Sequence, residues 1–208
     1  MRIRHFHRML AAGVLLIAAN LPASAHHLMG GKTPTTFTDG ILSGLGHPII
    51  GVDHLAFLVA VGLAAGLAGL SLAMPAAFVA SSAVGVALHV NAVTLPGAEL
   101  VVGLSVVFVG YVLASGRTIP VAAWVALFAV AGLFHGYAFG ESIFGAEPTP
   151  FWAYLVGLVM IQTAVCVGLA ILARRTKLQS IDVNARMAGA TIAGVGLAVL
   201  AGQLIPTA

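Results

Sequence analysis

Two histidines and an aspartate fall within eight residues in Gly46-His47-Pro48-Ile49-Ile50-Gly51-Val52-Asp53-His54, at the mouth of an apolar run that continues to about Leu70. Imidazole nitrogen with carboxylate oxygen is a donor set for a borderline transition metal such as nickel, cobalt or zinc. An ionised carboxylate at the centre of a bilayer costs roughly 2.5 to 3.5 kcal/mol on insertion scales, so Asp53 requires a polar cavity or a partner. On a regular helix His47 and His54 share a face but stand about 10 Å apart along the axis, too far for one ion. Pro48 suits a first helical position, and Gly46 and Gly51 loosen the opening turn. A bend there is what would carry His47 over the same site as Asp53 and His54.

Four further ionisable residues border apolar runs. His89 lies near Asn91, Glu99 follows Pro96-Gly97, and His135 and Glu141 bracket the stretch Phe134-His135-Gly136-Tyr137-Ala138-Phe139-Gly140-Glu141. Intramembrane groups of this kind mark ion pathways. With His47, Asp53 and His54 they form the set of candidate metal ligands, and His47, Asp53, His54, Glu99 and His135 are expected to line one cavity. Tyr111, Trp124, Trp152 and Tyr154 read as interfacial belt or packing residues. Gln162, Thr163 and Gln203 read as polar glue between helices. Cys166, the one cysteine, lies inside an apolar run and reads as packing; no disulfide framework exists within the chain.

The elements that must hold these residues are membrane helices. Of 208 residues 60% are hydrophobic and only 7% charged, whereas about a quarter of residues are charged in soluble domains. Apolar stretches run over 49–70, 72–93, 98–115, 119–139, 151–173 and 187–205, each long enough for about 30 Å of hydrocarbon. The fold expected is all-α, a polytopic membrane protein with six transmembrane helices occupying 26–208. Ahead of it, Arg2, Arg4 and Arg8, an apolar run from Met9 to Ala19 and Ala23-Ser24-Ala25 have the form of a cleaved signal peptide over 1–25. Its removal takes the formal charge from +3 to 0, six Lys and Arg against six Asp and Glu, so the basic pI indicates no nucleic-acid partner.

A cleaved signal places the mature N-terminus outside the cytoplasmic membrane, in the periplasm, and the spans then alternate. The links predicted inside hold Arg117, Arg174, Arg175, Lys177 and Arg186, and the outer side keeps Lys32, the asymmetry of the positive-inside rule. All seven ligand candidates then fall in the outer leaflet. Ser81, Ser82, Ser105 and Gln162 remain as polar groups for an inward path. Glycines at small-xxx-small spacing, as in Gly62 to Gly66 and Gly132 to Gly136 to Gly140, predict close helix seams. No Gly-x-x-x-x-Gly-Lys-Ser/Thr phosphate loop is present, which excludes an ATP motor of this kind in the chain.

These residues resemble the HupE/UreJ family of bacterial nickel permeases across essentially the whole chain. The most specific part is His47-Pro48-x-x-Gly51-x-Asp53-His54-Leu55. It is supported by Phe37-x-x-Gly40, Leu95-Pro96-x-x-Glu99, Phe134-His135-Gly136 with Glu141, and the histidines His26 and His27 soon after the signal. The resemblance implies a six-helix secondary transporter, often associated with hydrogenase or urease maturation, with the His-Asp-His set of the first helix in metal recognition. The expectation is therefore a permease, not an enzyme, with no permanently bound cofactor. It moves Ni²⁺ or Co²⁺ inward, has the lipid bilayer as its other partner, and is a possible homo-oligomer. Metal binding needs deprotonated imidazole, so uptake is expected to weaken as pH falls through about 6.5. Two readings from other classes use the same residues: an intramembrane zinc hydrolase, against which stands the lack of His-Glu-x-x-His, and a metal-binding sensor or accessory subunit.

Overall fold

A computed structural model describes residues 32–205, and the predicted signal peptide with His26 and His27 lies outside them. The helices are α1 (Phe37–Ile50), α2 (Val52–Leu67), α3 (Ala73–Val90), α4 (Ala98–Ser115), α5 (Val121–Gly140), α6 (Pro148–Arg175) and α7 (Val183–Leu204), with a 3-10 turn at Glu141–Ile143 between α5 and α6. No strand occurs among the described residues, as the all-α expectation requires.

Local chemistry sets the boundaries. Thr36 and Asp39 form a capping box at the start of α1: the Thr36 hydroxyl accepts from the Asp39 N–H and the Asp39 carboxylate accepts from the Thr36 N–H, each at 3.1 Å. Pro148 opens α6 at its first position, where a missing N–H leaves no intrahelical bond unmade. Gly97 at φ 70° and Gly116 at φ 66° delimit α4 in the left-handed region, where a side chain would be strained.

The first expected span, 49–70, takes a different form. It is two helices bent by 79° at Gly51, and the first of them begins at Phe37. Pro48 inside α1 has no N–H to give the preceding turn. Gly51 then takes an extended ψ of 106°; its N–H closes α1 on the His47 carbonyl at 3.0 Å, while its own carbonyl accepts the first bond of α2 from Leu55 at 2.8 Å.

Glycine seams fix the packing and the direction of each helix. Gly40 backs onto Pro150, Gly44 onto Tyr154 and Leu158, Gly62 onto Cys166, and Gly66 onto Ala170 and Ala173. The bent pair α1–α2 therefore meets α6 in the same chain direction on both sides of the bend. Gly132, Gly136 and Gly140 of α5 meet Phe78, Ser82 and His89 of α3, a parallel pair. Gly103 of α4 meets Leu200 and Gly110 meets Ala193 of α7, an antiparallel pair. Five straight helices are long and apolar enough to cross a membrane, six with the bent pair counted as one span, and these directions fit six alternating crossings. Small residues at the seams let backbones touch where lipid provides no hydrophobic drive.

The central α2 buries Phe57, Leu58, Val61, Ala64 and Ala65 against Phe78, Val106, Val109, Phe128 and Cys166. Outward positions such as Phe108, Met160 and Leu197 are exposed and apolar, as lipid contact demands. Charge is uneven between the ends, with Asp182 an acid at the basic end and Lys32 a base ahead of α1 at the acidic one. Arg117, Arg174, Arg175, Lys177 and Arg186 gather where α2, α4 and α6 finish; Asp39, Glu99, Glu141 and Glu147 gather at the opposite end. At the basic end Arg174 donates to the carbonyls of Ala65 and Leu70, and Arg186 Nε donates to Ala114 O at 2.9 Å. Guanidinium groups there satisfy the last carbonyls of α2 and α4 and oppose the negative ends of their dipoles.

Candidate metal centre

Three helix ends converge near the acidic side of the bundle. His47 comes from the last turn of α1, His54 from the first turn of α2, and His135 from α5 five residues before its end. His135 is 1% exposed and His47 and His54 are each 5% exposed, so the cluster is closed rather than open to one face. Ring centroids of His47 and His54 lie 5.8 Å apart, and those of His54 and His135 lie 5.2 Å apart. Phe57 stacks on His135 at 4.3 Å and Phe139 lies 4.3 Å from His54, which walls the imidazoles with aromatic faces.

Hydrogen bonds tie the three rings to one another and to hydroxyl groups. Ser105 Oγ donates to the Val102 carbonyl at 2.7 Å, so its oxygen accepts from His135 Nε2–H at 3.0 Å. His135 then offers Nδ1 as an acceptor, and His54 Nδ1–H donates to it at 3.0 Å. Tyr154 gives its hydroxyl proton to the Phe139 carbonyl at 2.7 Å. His47 Nδ1 and Ser142 Oγ are hydrogen-bonded at 2.8 Å, and Ser142 Oγ also lies 3.2 Å from both the Tyr154 hydroxyl and Phe139 O. Nδ1 of both His47 and His54 is thus engaged in this network, as the second ring nitrogen of a metal-binding imidazole is.

Asp53 is half-buried beside the cluster. Its Oδ1 accepts from the His54 N–H at 2.8 Å at the start of α2, where a carboxylate is also favoured by the helix dipole. Gly51 completes the arrangement sterically: a Cβ on it would come 2.7 Å from His54 Cδ2, so a side chain at the bend would push the ring aside.

The other candidates lie apart from this cluster or at its margin. Glu99, in the first turn of α4, and Glu141, at the head of the 3-10 turn, are exposed at the acidic end. The cavity expected to include Glu99 is therefore a closed cluster of His47, His54 and His135 with Asp53 beside it. His89 is half-buried between Tyr137, at 4.5 Å, and Phe144, at 5.7 Å, with its Cβ against Gly140. Among the described residues, no group of three or more His, Cys, Asp or Glu side chains is already spaced to hold a metal ion.

Tyr154 and Ser142 are the partners that sequence reasoning missed. Tyr154 is fully buried and reaches His47 Nδ1 at 3.2 Å, so it belongs to the packing interior and not to a belt. Trp124 is buried too, while Trp152 is 64% exposed. Ser105, expected on an inward path, holds His135 instead.

Comparison with known proteins adds a relationship across most of the chain. The family model described as HupE / UreJ protein matches residues 11–199. Protein HupE of Rhizobium leguminosarum bv. viciae is 34% identical over 190 residues, covering 90% of this chain and 95% of that protein. No solved structure matches.

Proposed function

The chain belongs to the HupE/UreJ family, a transporter family and not one of enzymes, and from that membership we propose an ATP-independent permease that carries nickel or cobalt ions across the cytoplasmic membrane from periplasm to cytoplasm. The metal would go on to metalloenzyme maturation, as for a hydrogenase or urease. The acidic end then faces the periplasm and the basic end the cytoplasm, in keeping with the positive-inside rule.

The observation that carries the reading is the convergence of His47 and His54 across the bend at Gly51, with ring centroids 5.8 Å apart. In the proposed site, Nε2 of each is a neutral ligand and Asp53 supplies compensating charge. Ser142 and Tyr154 orient His47, and His135, held by Ser105, orients His54. Hydrogen bonds of this kind on the second ring nitrogen are what hold metal-binding imidazoles in their productive tautomer. Glu99 and Glu141, exposed at the acidic end, would attract the cation toward the bundle, and His89 would meet it on the way. Divalent charge moving inward down the membrane potential gains about 4.6 kcal/mol at 100 mV.

The test is uptake by proteoliposomes of the purified protein under an inside-negative potential, with nickel, cobalt and zinc compared. Saturable uptake of nickel or cobalt, each competing with the other and faster than zinc, supports the reading. Vesicles that accumulate none of the three above protein-free vesicles contradict it.

A further inference from the structure

Below the histidines the molecule buries a polar group that the proposed site does not use. Gln162 is 0% exposed, fourteen residues after Pro148 in the 28-residue α6 and so at its midpoint. Its Nε2 donates to Ser82 Oγ of α3 at 3.0 Å, and among the described residues nothing donates to its Oε1. Turning the amide over exchanges its ends but still leaves one of them unpaired. An amide is a costly group to bury half-satisfied within a bilayer, so its second end has a use beyond joining two helices.

Its neighbours place this amide next to the histidine cluster. Ser82 lies against Gly136, the residue after His135. One turn from Gln162 along α6, Leu158 meets Gly44 of α1. One turn in the other direction, Cys166 donates its thiol to the Leu58 carbonyl, one turn after His54. Beyond this level toward the basic end the core is apolar, built of Val61, Val109 and Phe128.

We infer that Gln162 Oε1, with the Ser82 hydroxyl, is a second station for the transported divalent cation, one step inward from the histidines; this rests on the permease reading. Neutral amide and hydroxyl oxygens are weaker ligands for a borderline metal than imidazole. Passage requires that weakness: a site must replace part of the hydration shell and still release the ion. Strong nitrogen ligands capture the cation, and weak oxygens pass it on.

The experiment compares wild type, Gln162→Met, Gln162→Glu and Ser82→Ala, with nickel binding to the detergent-purified proteins measured beside nickel uptake by proteoliposomes. Gln162→Met is expected to bind nickel within about twofold of wild type and to take it up about tenfold more slowly. Gln162→Glu puts a charged, stronger oxygen ligand at the same place, so it should bind more nickel at equilibrium than wild type and still take it up slowly. If Gln162→Met does not insert, Ser82→Ala decides, with a several-fold loss of uptake at unchanged nickel binding. Wild-type uptake by Gln162→Met or, where that variant is lost, by Ser82→Ala overturns the inference while the permease reading stands. Gln162→Glu that binds no more nickel than wild type also overturns it, because an oxygen ligand there would then not meet the ion, as does a loss of binding in step with uptake in Gln162→Met. If wild type itself moves no nickel or cobalt, the permease reading falls and this inference with it.

Discussion

The rings of His47 and His54 are 5.8 Å apart although two helical turns of chain separate the residues. A straight helix would hold them about 10 Å apart along its axis. The 79° bend at Gly51 makes up the difference, and it depends on the one residue type that adds no Cβ against the His54 ring. Pro48 weakens the backbone ladder on one side of the bend, and Asp53 satisfies a helix-end N–H on the other. The same few residues thus break the span and supply the proposed ligands.

Gly51→Ala tests the bend. Its Cβ would stand 2.7 Å from His54 Cδ2 and 3.4 Å from Asp53 Oδ1. The variant should insert normally and lose about tenfold or more in nickel uptake, the scale seen when metal ligands lose their orientation. Uptake normalised to protein in the membrane checks this, and an unchanged rate would mean that the bend does not set the ligand geometry.

Asp53→Asn keeps size and one acceptor oxygen but removes the charge that offsets a divalent ion. It should abolish nickel accumulation in cells without lowering the amount of protein in the membrane, because a neutral amide is cheaper to insert than a carboxylate. His89→Gln, in its aromatic niche between Tyr137 and Phe144, should cost much less. Equal losses in the two variants would remove the distinction drawn between the sites.

The five straight spans were legible because each is an unbroken apolar run: Ala73–Val90, Ala98–Ser115, Val121–Gly140, Pro148–Arg175 and Val183–Leu204 stand close to the expected segments. The broken span was not. Thr38, Asp39, Ser43 and His47 dilute the hydropathy of α1, whose Gly40, Ser43, Gly44 and His47 are buried; the span therefore starts twelve residues before the expected position 49. The chemistry of His47, Asp53, His54 and His135 could be read from residue type alone. Tyr154 could not, since it stands two residues from the exposed Trp152, and positions two apart on a helix point to nearly opposite sides. Nor does sequence say that Glu99 and Glu141 stay exposed, because acids at a span end look the same whether they turn inward or out.

Orientation has an independent test. Reporters active only in the cytoplasm should work when fused after Arg117 or Lys177, at the basic end, and stay silent after Pro148, at the acidic end. The reverse pattern would turn the histidine cluster toward the cytoplasm and make the proposed direction of transport wrong.

Equilibrium binding of nickel to the purified protein in detergent tests the central claim most directly, because it isolates the ligands from every later step of transport. Wild type should bind about one ion per chain at neutral pH, His54→Gln should lose about tenfold or more in affinity, and His89→Gln should bind as wild type does. Nickel binding by His54→Gln equal to that of wild type would contradict the account, since the converging histidines would then not be where the ion is held.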